Sequence, residues 1–237
     1  MPFLASSYIK AKRRIYELKL AFNKLFKRSG HSHDITVNKI KESFSNTYKY
    51  NRWGSPESRS GRGSELTWAS NMQKALGSII IEYDIQTIFD TSCGDWNWMK
   101  EIRHILPNYL GNDIVSGVIA TNTLKFGSDN IKFVCNDMVS EIKKHQKFDL
   151  VICRHTLEHL PLSYALEFIK ELKERTKYAI ITSNPNCENT EMAFDGYMAR
   201  GVNLEKEPFK NLMGQIISVI PDGPNDEQYV PALFIKF

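Results

Sequence analysis

The chain has 237 residues and 42% apolar content, enough for one sizeable α/β domain. No apolar run reaches the roughly 18 residues of a membrane span, and "MPFLASSYIKAKRR" turns basic too early for a secretory leader. Four cysteines without C-x-x-C spacing read as reduced, small buried residues and predict a cytoplasmic protein, and a net charge of +4 is too mild to imply nucleic acid.

The charge is uneven. The first 30 residues hold eight basic residues against Glu17 alone, a net +7, so the rest is slightly acidic. Tyr8, Ala11, Ile15, Leu18, Phe22 and Leu25 recur at steps of three and four and predict a basic amphipathic helix over 5–28. It packs on the body or a partner protein, or lies on an anionic surface such as the inner membrane. "KRSGHSHD" reads as linker, so residues 1–45 are set apart from a domain over 46–237.

Residues 46–85 read as a Gly/Ser/Pro-rich lid and a leading helix, capped by Ser64 and running to about Tyr83. From residue 86 strand and helix alternate. "QTIFDTS", "NYLGNDI", "IKFVCND", "KFDLVICR" and "YAIITSN" are predicted strands; "WMKEIRHIL", "SGVIATNTLKF" and "LSYALEFIKELKERT" are helices between them. Apolar strands separated by helices predict a parallel sheet covered on both faces. Residues 185–213 hold no clear long element. "GQIISVIP" and "YVPALFIKF" close the chain as an antiparallel edge hairpin. The predicted fold is a Rossmann-like α/β sheet, mostly parallel.

Ligands of such sheets sit at the carboxyl ends of the strands. "DTSCGDW" follows the first strand. Gly94 there lets a ligand approach the backbone. Asp90 and Asp95 suit positive charge and disfavour a pyrophosphate. G-x-G-x-x-G and a P-loop lysine are absent. Asp113 ends the second strand, where a carboxylate can accept from both ribose hydroxyls. Asp137 and Met138 end the third, suited to an adenine amine and a purine face. Acids at three successive strand ends point to an adenosine ligand with a cationic partner, which S-adenosylmethionine (SAM) satisfies. Ser92, Cys93, Trp98, Ile114, Asn136 and Arg154 complete the predicted cofactor set. Asp90 and Gly94 can also be plain turn chemistry, and Asp95 a first-turn acid. Trp96 and Trp98, two residues apart, cannot face one way, so one is expected in the core and one at the site.

Residues 87–184 resemble the class I SAM-dependent methyltransferases, within them a group whose first motif reads D-x-x-C-G-D-[FW]-x-W-M. Asp90, Cys93, Gly94, Asp95, Trp96, Trp98 and Met99 stand in those places. "WGSPESRSGRGSELT" and "ICRHTLEHLP" resemble two further elements of the group. "GYMARGVNLEKEPF" resembles a third, with Met198 in place of tryptophan and Arg200 one place out of register. The resemblance implies a methyltransferase that turns SAM into S-adenosylhomocysteine. It implies a small acceptor, such as a building block of bacterial capsule or lipopolysaccharide.

"CRHTLEHLP" ends the fourth strand. An oxygen acceptor gains from a base, and His155, nearer the strand end, is preferred over His159, which can instead bond a carbonyl. A zinc reading of "HTLEH" is rejected, because the string follows a strand, so no metal is expected. Substrate contacts are sought in the lid (Arg52, Trp53, Glu57, Ser58, Arg59, Ser60, Arg62, Ser64) and after the fifth strand (Asn184, Arg200, Asn203). Arginines in both suggest a phosphate or carboxylate on the acceptor; a solvated loop is the plain alternative. A second function is methylation of RNA or another macromolecule docked by the basic helix. "SNPNC" lacks the N/D-P-P-Y/F motif, no RNA module is recognisable, and no DNA contact is expected. A SAM-binding scaffold without activity is a third.

Overall fold

The computed structural model describes residues 29–191, 197–224 and 230–237. The predicted helix over 5–28 lies outside them. Two compact units divide the chain, 1–39 and 40–237. Helix α1 (Ser29–Tyr50) includes Ser29 to Asp34, so most of the expected linker is helical. Everything below concerns the second unit.

Its sheet has seven strands: β1 (Thr87–Asp90), β2 (Asn108–Asp113), β3 (Ile131–Cys135), β4 (Phe148–Cys153), β5 (Thr176–Thr182), β6 (Gln215–Ile220) and β7 (Ala232–Lys236). The order is β3-β2-β1-β4-β5-β7-β6. The first five are parallel; β7 pairs antiparallel with β5 and with β6. The mostly parallel sheet and its closing hairpin are as the sequence predicts. β1 and β4 lie side by side, and the chain runs outward from them in both directions. That switch point opens a crevice at the strands' carboxyl ends.

Apolar periodicity makes the helices. In α2 (Leu66–Glu82), Ala69, Met72, Leu76, Ile79 and Ile80 form one buried stripe. Its N-cap is Glu65 and not Ser64, and the Leu66 amide donates instead to the Glu57 carboxylate at 2.8 Å. α3 (Ser116–Phe126) and α5 (Leu162–Arg175) fall where periodicity places them. The first crossover is a 3₁₀ helix, Met99–Ile105, and not an α-helix. α4 (Met138–Ile142) is one turn, too short for periodicity to reveal. Among the described residues no helix is long and apolar enough to cross a membrane.

Candidate active site

A cavity lies over the carboxyl ends of β1 to β4. Its floor comes from the strand ends: Ser92 and Gly94 after β1, Asn112 to Ile114 on β2, Asn136 and Met138 after β3, Arg154 to Thr156 after β4. Its roof comes from Ile40, Phe44 and Tyr48 of α1, with Trp53 and Ser60 of the lid. Of the predicted cofactor residues, Ser92, Gly94, Asp113, Ile114, Asn136, Met138 and Arg154 line it.

The other five do not, and each has a structural task. Asp90 is buried, and its Oδ2 accepts from the Tyr109 hydroxyl at 2.7 Å. That hydroxyl accepts in turn from Trp96 Nε1 at 2.9 Å. Burial pushes the Asp90 carboxyl up to about 7, against the pull of the phenol. Cys93 is buried beside Asn122, whose amide donates to the Gly94 carbonyl at 2.8 Å. Trp98 belongs to the core, and Arg154 lies over its ring at 5.3 Å. Both indoles are therefore core residues, against the expected division. Asp137 caps α4, accepting from the amides of Val139 (3.0 Å) and Ser140 (3.1 Å) and from the Tyr164 hydroxyl.

Asp95 fastens the lid. Its carboxylate accepts from Ser58 Oγ (2.9 Å), the Arg59 amide (2.7 Å) and Ser60 Oγ (3.0 Å). Ser60 Oγ also accepts from the Asp95 amide and bonds the Tyr48 hydroxyl at 2.8 Å. Sequence reading put this acid on the cofactor because its partners lie 35 to 37 residues away. Gly94 serves the same join. It holds φ +56°, and a Cβ there would stand 2.2 Å from Ser60 Oγ and 3.0 Å from the Tyr48 hydroxyl. The backbone approached here is thus met by the lid itself. Gly94→Ala is expected to cost more than about 1 kcal/mol in backbone strain alone and to unseat the lid. Faster proteolysis of residues 51–64 checks this; an unchanged rate would remove the close-packing argument.

The walls fit SAM. Asp113 accepts from the Val115 amide (2.9 Å) and the Gly94 amide (3.2 Å), and burial raises it to about 6. A desolvated carboxylate favours hydroxyl donors and positive charge nearby. Asn112 Oδ1, on the same wall, is buried without a donor. When bound, SAM supplies an electrophilic methyl group and a neutral thioether leaving group.

A second cavity of about 830 Å³ adjoins the first. Trp53, Ser60 and His155 line both. Arg62, Trp68, Glu158, His159 and Asp222 line the second. His155 sits at φ 50°, in the left-handed region. Its Nδ1 is 2.9 Å from Glu158 and its Nε2 3.2 Å from Asp222. Hydrogen bonds to these two carboxylates, opposing the effect of burial, raise it to about 9. It is therefore an imidazolium at neutral pH, with both N–H groups engaged and no lone pair. This geometry opposes the expected base role. Asp222 also binds Arg154 through Nε (2.7 Å) and Nη2 (2.6 Å), and Nη2 donates to the lid carbonyl of Gly63 at 2.6 Å.

His159 Nδ1 is 3.2 Å from the Met198 carbonyl, and its ring packs on Trp53 at 5.5 Å. Of the other substrate candidates, Trp53, Ser60 and Arg62 reach the cavities. Glu57 bonds Asn97 and the α2 amide, Ser58 is buried on Asp95, and the Ser64 carbonyl accepts from Asn97. Asn184 and Asn203 brace the loop after β5. Arg200 bonds the Thr190 carbonyl through Nε, while both terminal nitrogens are buried without a partner. Sequence reading missed Asp222, two residues after β6, and the α1 roof. Only the apolar spacing of Ile40, Phe44 and Tyr48 hinted at that roof.

A family model described as a methyltransferase domain matches residues 41–211. The chain belongs to that family. It is a SAM-dependent methyltransferase of class I. Among solved structures, magnesium protoporphyrin IX methyltransferase from Synechocystis PCC 6803 with bound SAM aligns at TM-score 0.58 and 15% identity, over 85% of this methyltransferase and 97% of that chain. The methyltransferase domain of the bacterial protein CtHen1 aligns at TM-score 0.53 and 13% identity, over 72% and 100%. A SAM-dependent methyltransferase from Clostridium acetobutylicum ATCC 824 aligns at 0.52 and 13%, over 72% and 91%. At these identities the likeness is one of fold. No curated protein matches this methyltransferase in sequence.

Proposed function

We propose that the enzyme methylates an O or N atom of a small polar, anionic acceptor. The observation that carries this is the junction of the two cavities at Trp53, Ser60 and His155. SAM occupies the strand-end cavity, held by Asp113, Gly94, Asn136 and Met138, and the acceptor occupies the outer one. Arg62, on the wall of the outer cavity, favours an anionic group on the acceptor. His159 is the base of this reading. Its ring lines the outer cavity, with Nδ1 3.2 Å from the Met198 carbonyl. His155 instead binds Glu158 and Asp222, and Asp222 in turn binds Arg154. The motif resemblance adds the acceptor class, a bacterial surface-polysaccharide building block in the cytoplasm.

The test is release of S-adenosylhomocysteine across a panel of small phosphorylated and carboxylated acceptors. With a working acceptor, His159→Ala should lower kcat by about 10²–10⁴-fold and leave SAM affinity within twofold. An unchanged kcat would take the base role from His159. Turnover only on RNA would overturn the small-acceptor reading.

A further inference from the structure

On the outer side of the Tyr48–Ser60–Asp95 join runs a groove of about 1120 Å³. Its rim carries Lys49, Arg59, Lys100 and Lys125. A neighbouring hollow shares Lys100 and Phe126 and adds Arg103. Among the described residues, none of these five cations has a carboxylate partner. Lys100 bonds only the amide oxygen of Asn97, and Lys49 lies over the Tyr50 ring. Four lysines elsewhere are paired, Lys143 with Glu167, Lys144 with Glu141, Lys177 with Asp149 and Lys206 with Glu188; what sets the groove apart is that its unpaired cations gather along one concave surface. The acids at the groove are Asp95, already saturated by the lid, and Glu101 in the hollow. Beyond the first 30 residues the chain is net acidic, so this basic tract departs from its surroundings.

We propose that this groove is a second ligand site, for an anion with several linked phosphates, and that its occupancy holds the lid closed over SAM. Unpaired cations along a concave surface match a chain of phosphates. A flat lipid surface cannot follow the concavity. Arg59 makes the link. Arg59 lines the groove, and its backbone amide donates to Asp95 in the lid clasp at 2.7 Å. An anion bridging Arg59 to Lys100 and Lys125 ties the lid to α3 and to the 3₁₀ helix Met99–Ile105. Linkage is reciprocal, so SAM must then tighten the anion equally. The lid part rests on SAM occupying the strand-end cavity; the anion site does not.

Calorimetric titrations test both parts at low salt, with sodium tripolyphosphate as the probe and sodium chloride of equal ionic strength as the control. Tripolyphosphate should bind the wild type and tighten SAM by about fivefold or more, the lower range of allosteric coupling. The variant Lys49→Glu/Lys125→Glu should bind SAM normally and lose both tripolyphosphate binding and the tightening. No tripolyphosphate binding, or equal binding by the variant, overturns the site. Binding without tightening of SAM overturns the lid coupling. A short oligouridylate that binds where tripolyphosphate does not would make the groove a nucleic-acid surface and overturn the proposed ligand. Failure of SAM to bind the wild type alone would count against the SAM cavity and leave the anion site judged on its own titration.

Discussion

Asp222→Ala is expected to cost about 3–5 kcal/mol of stability, the range for breaking a buried ion pair. Asp222 is 3% exposed and binds both Arg154 and His155. Its removal leaves the Arg154 guanidinium buried with one carbonyl partner, Gly63. Urea denaturation measures the loss; a change below 1 kcal/mol would show that water reaches the cluster. The same cluster gives stability a pH dependence. His155 rises from 6.5 to about 9, so its contribution is full below pH 6.5 and fades as pH climbs through 9. Asp222, lowered from 3.8 to about 2, contributes above pH 3.8 and is lost as pH falls through 2. In Asp222→Asn the alkaline loss should begin nearer pH 6.5, because one of the two carboxylates facing the imidazolium is gone. An unshifted alkaline limb would mean that Glu158 alone holds the charge.

Asp113→Ala should weaken SAM binding by about 100-fold or more. Each hydrogen bond to a charged group contributes roughly 1.5–3 kcal/mol, and a carboxylate at the end of the second strand can accept two from a ribose. Calorimetric titration reads the change, with the melting temperature of the variant as control. The control is needed because Asp113 also holds the Gly94 and Val115 amides. Affinity within tenfold of wild type, in a folded variant, would take Asp113 out of the site.

The strand-end acids show how far pattern carries. Asp113 and Asp90 both end strands, and spacing alone assigns them to one ligand. Only packing separates them. Asp113 lines the cavity, whereas Asp90 is claimed by Tyr109 and Trp96. Asp95 and Asp137 were drawn to the ligand by the same logic, and each is satisfied by protein donors. A carboxylate's partner is decided by what folds against it, and no local spacing encodes that. His155 makes the point for ionisation. Its place after β4 is legible, but its charge depends on Asp222, 67 residues later.

The sequence by itself determined the mostly parallel sheet and the closing hairpin, and it pointed to the strand ends where the cavity lies. These follow from periodicity and turn chemistry, which act over a few residues. Tertiary structure alone decided which acids face the cavity, that the lid is pinned at Asp95, that α1 roofs the cavity and that His155 is charged. Those depend on burial and on partners distant in sequence, whose energies appear only once water is excluded between them.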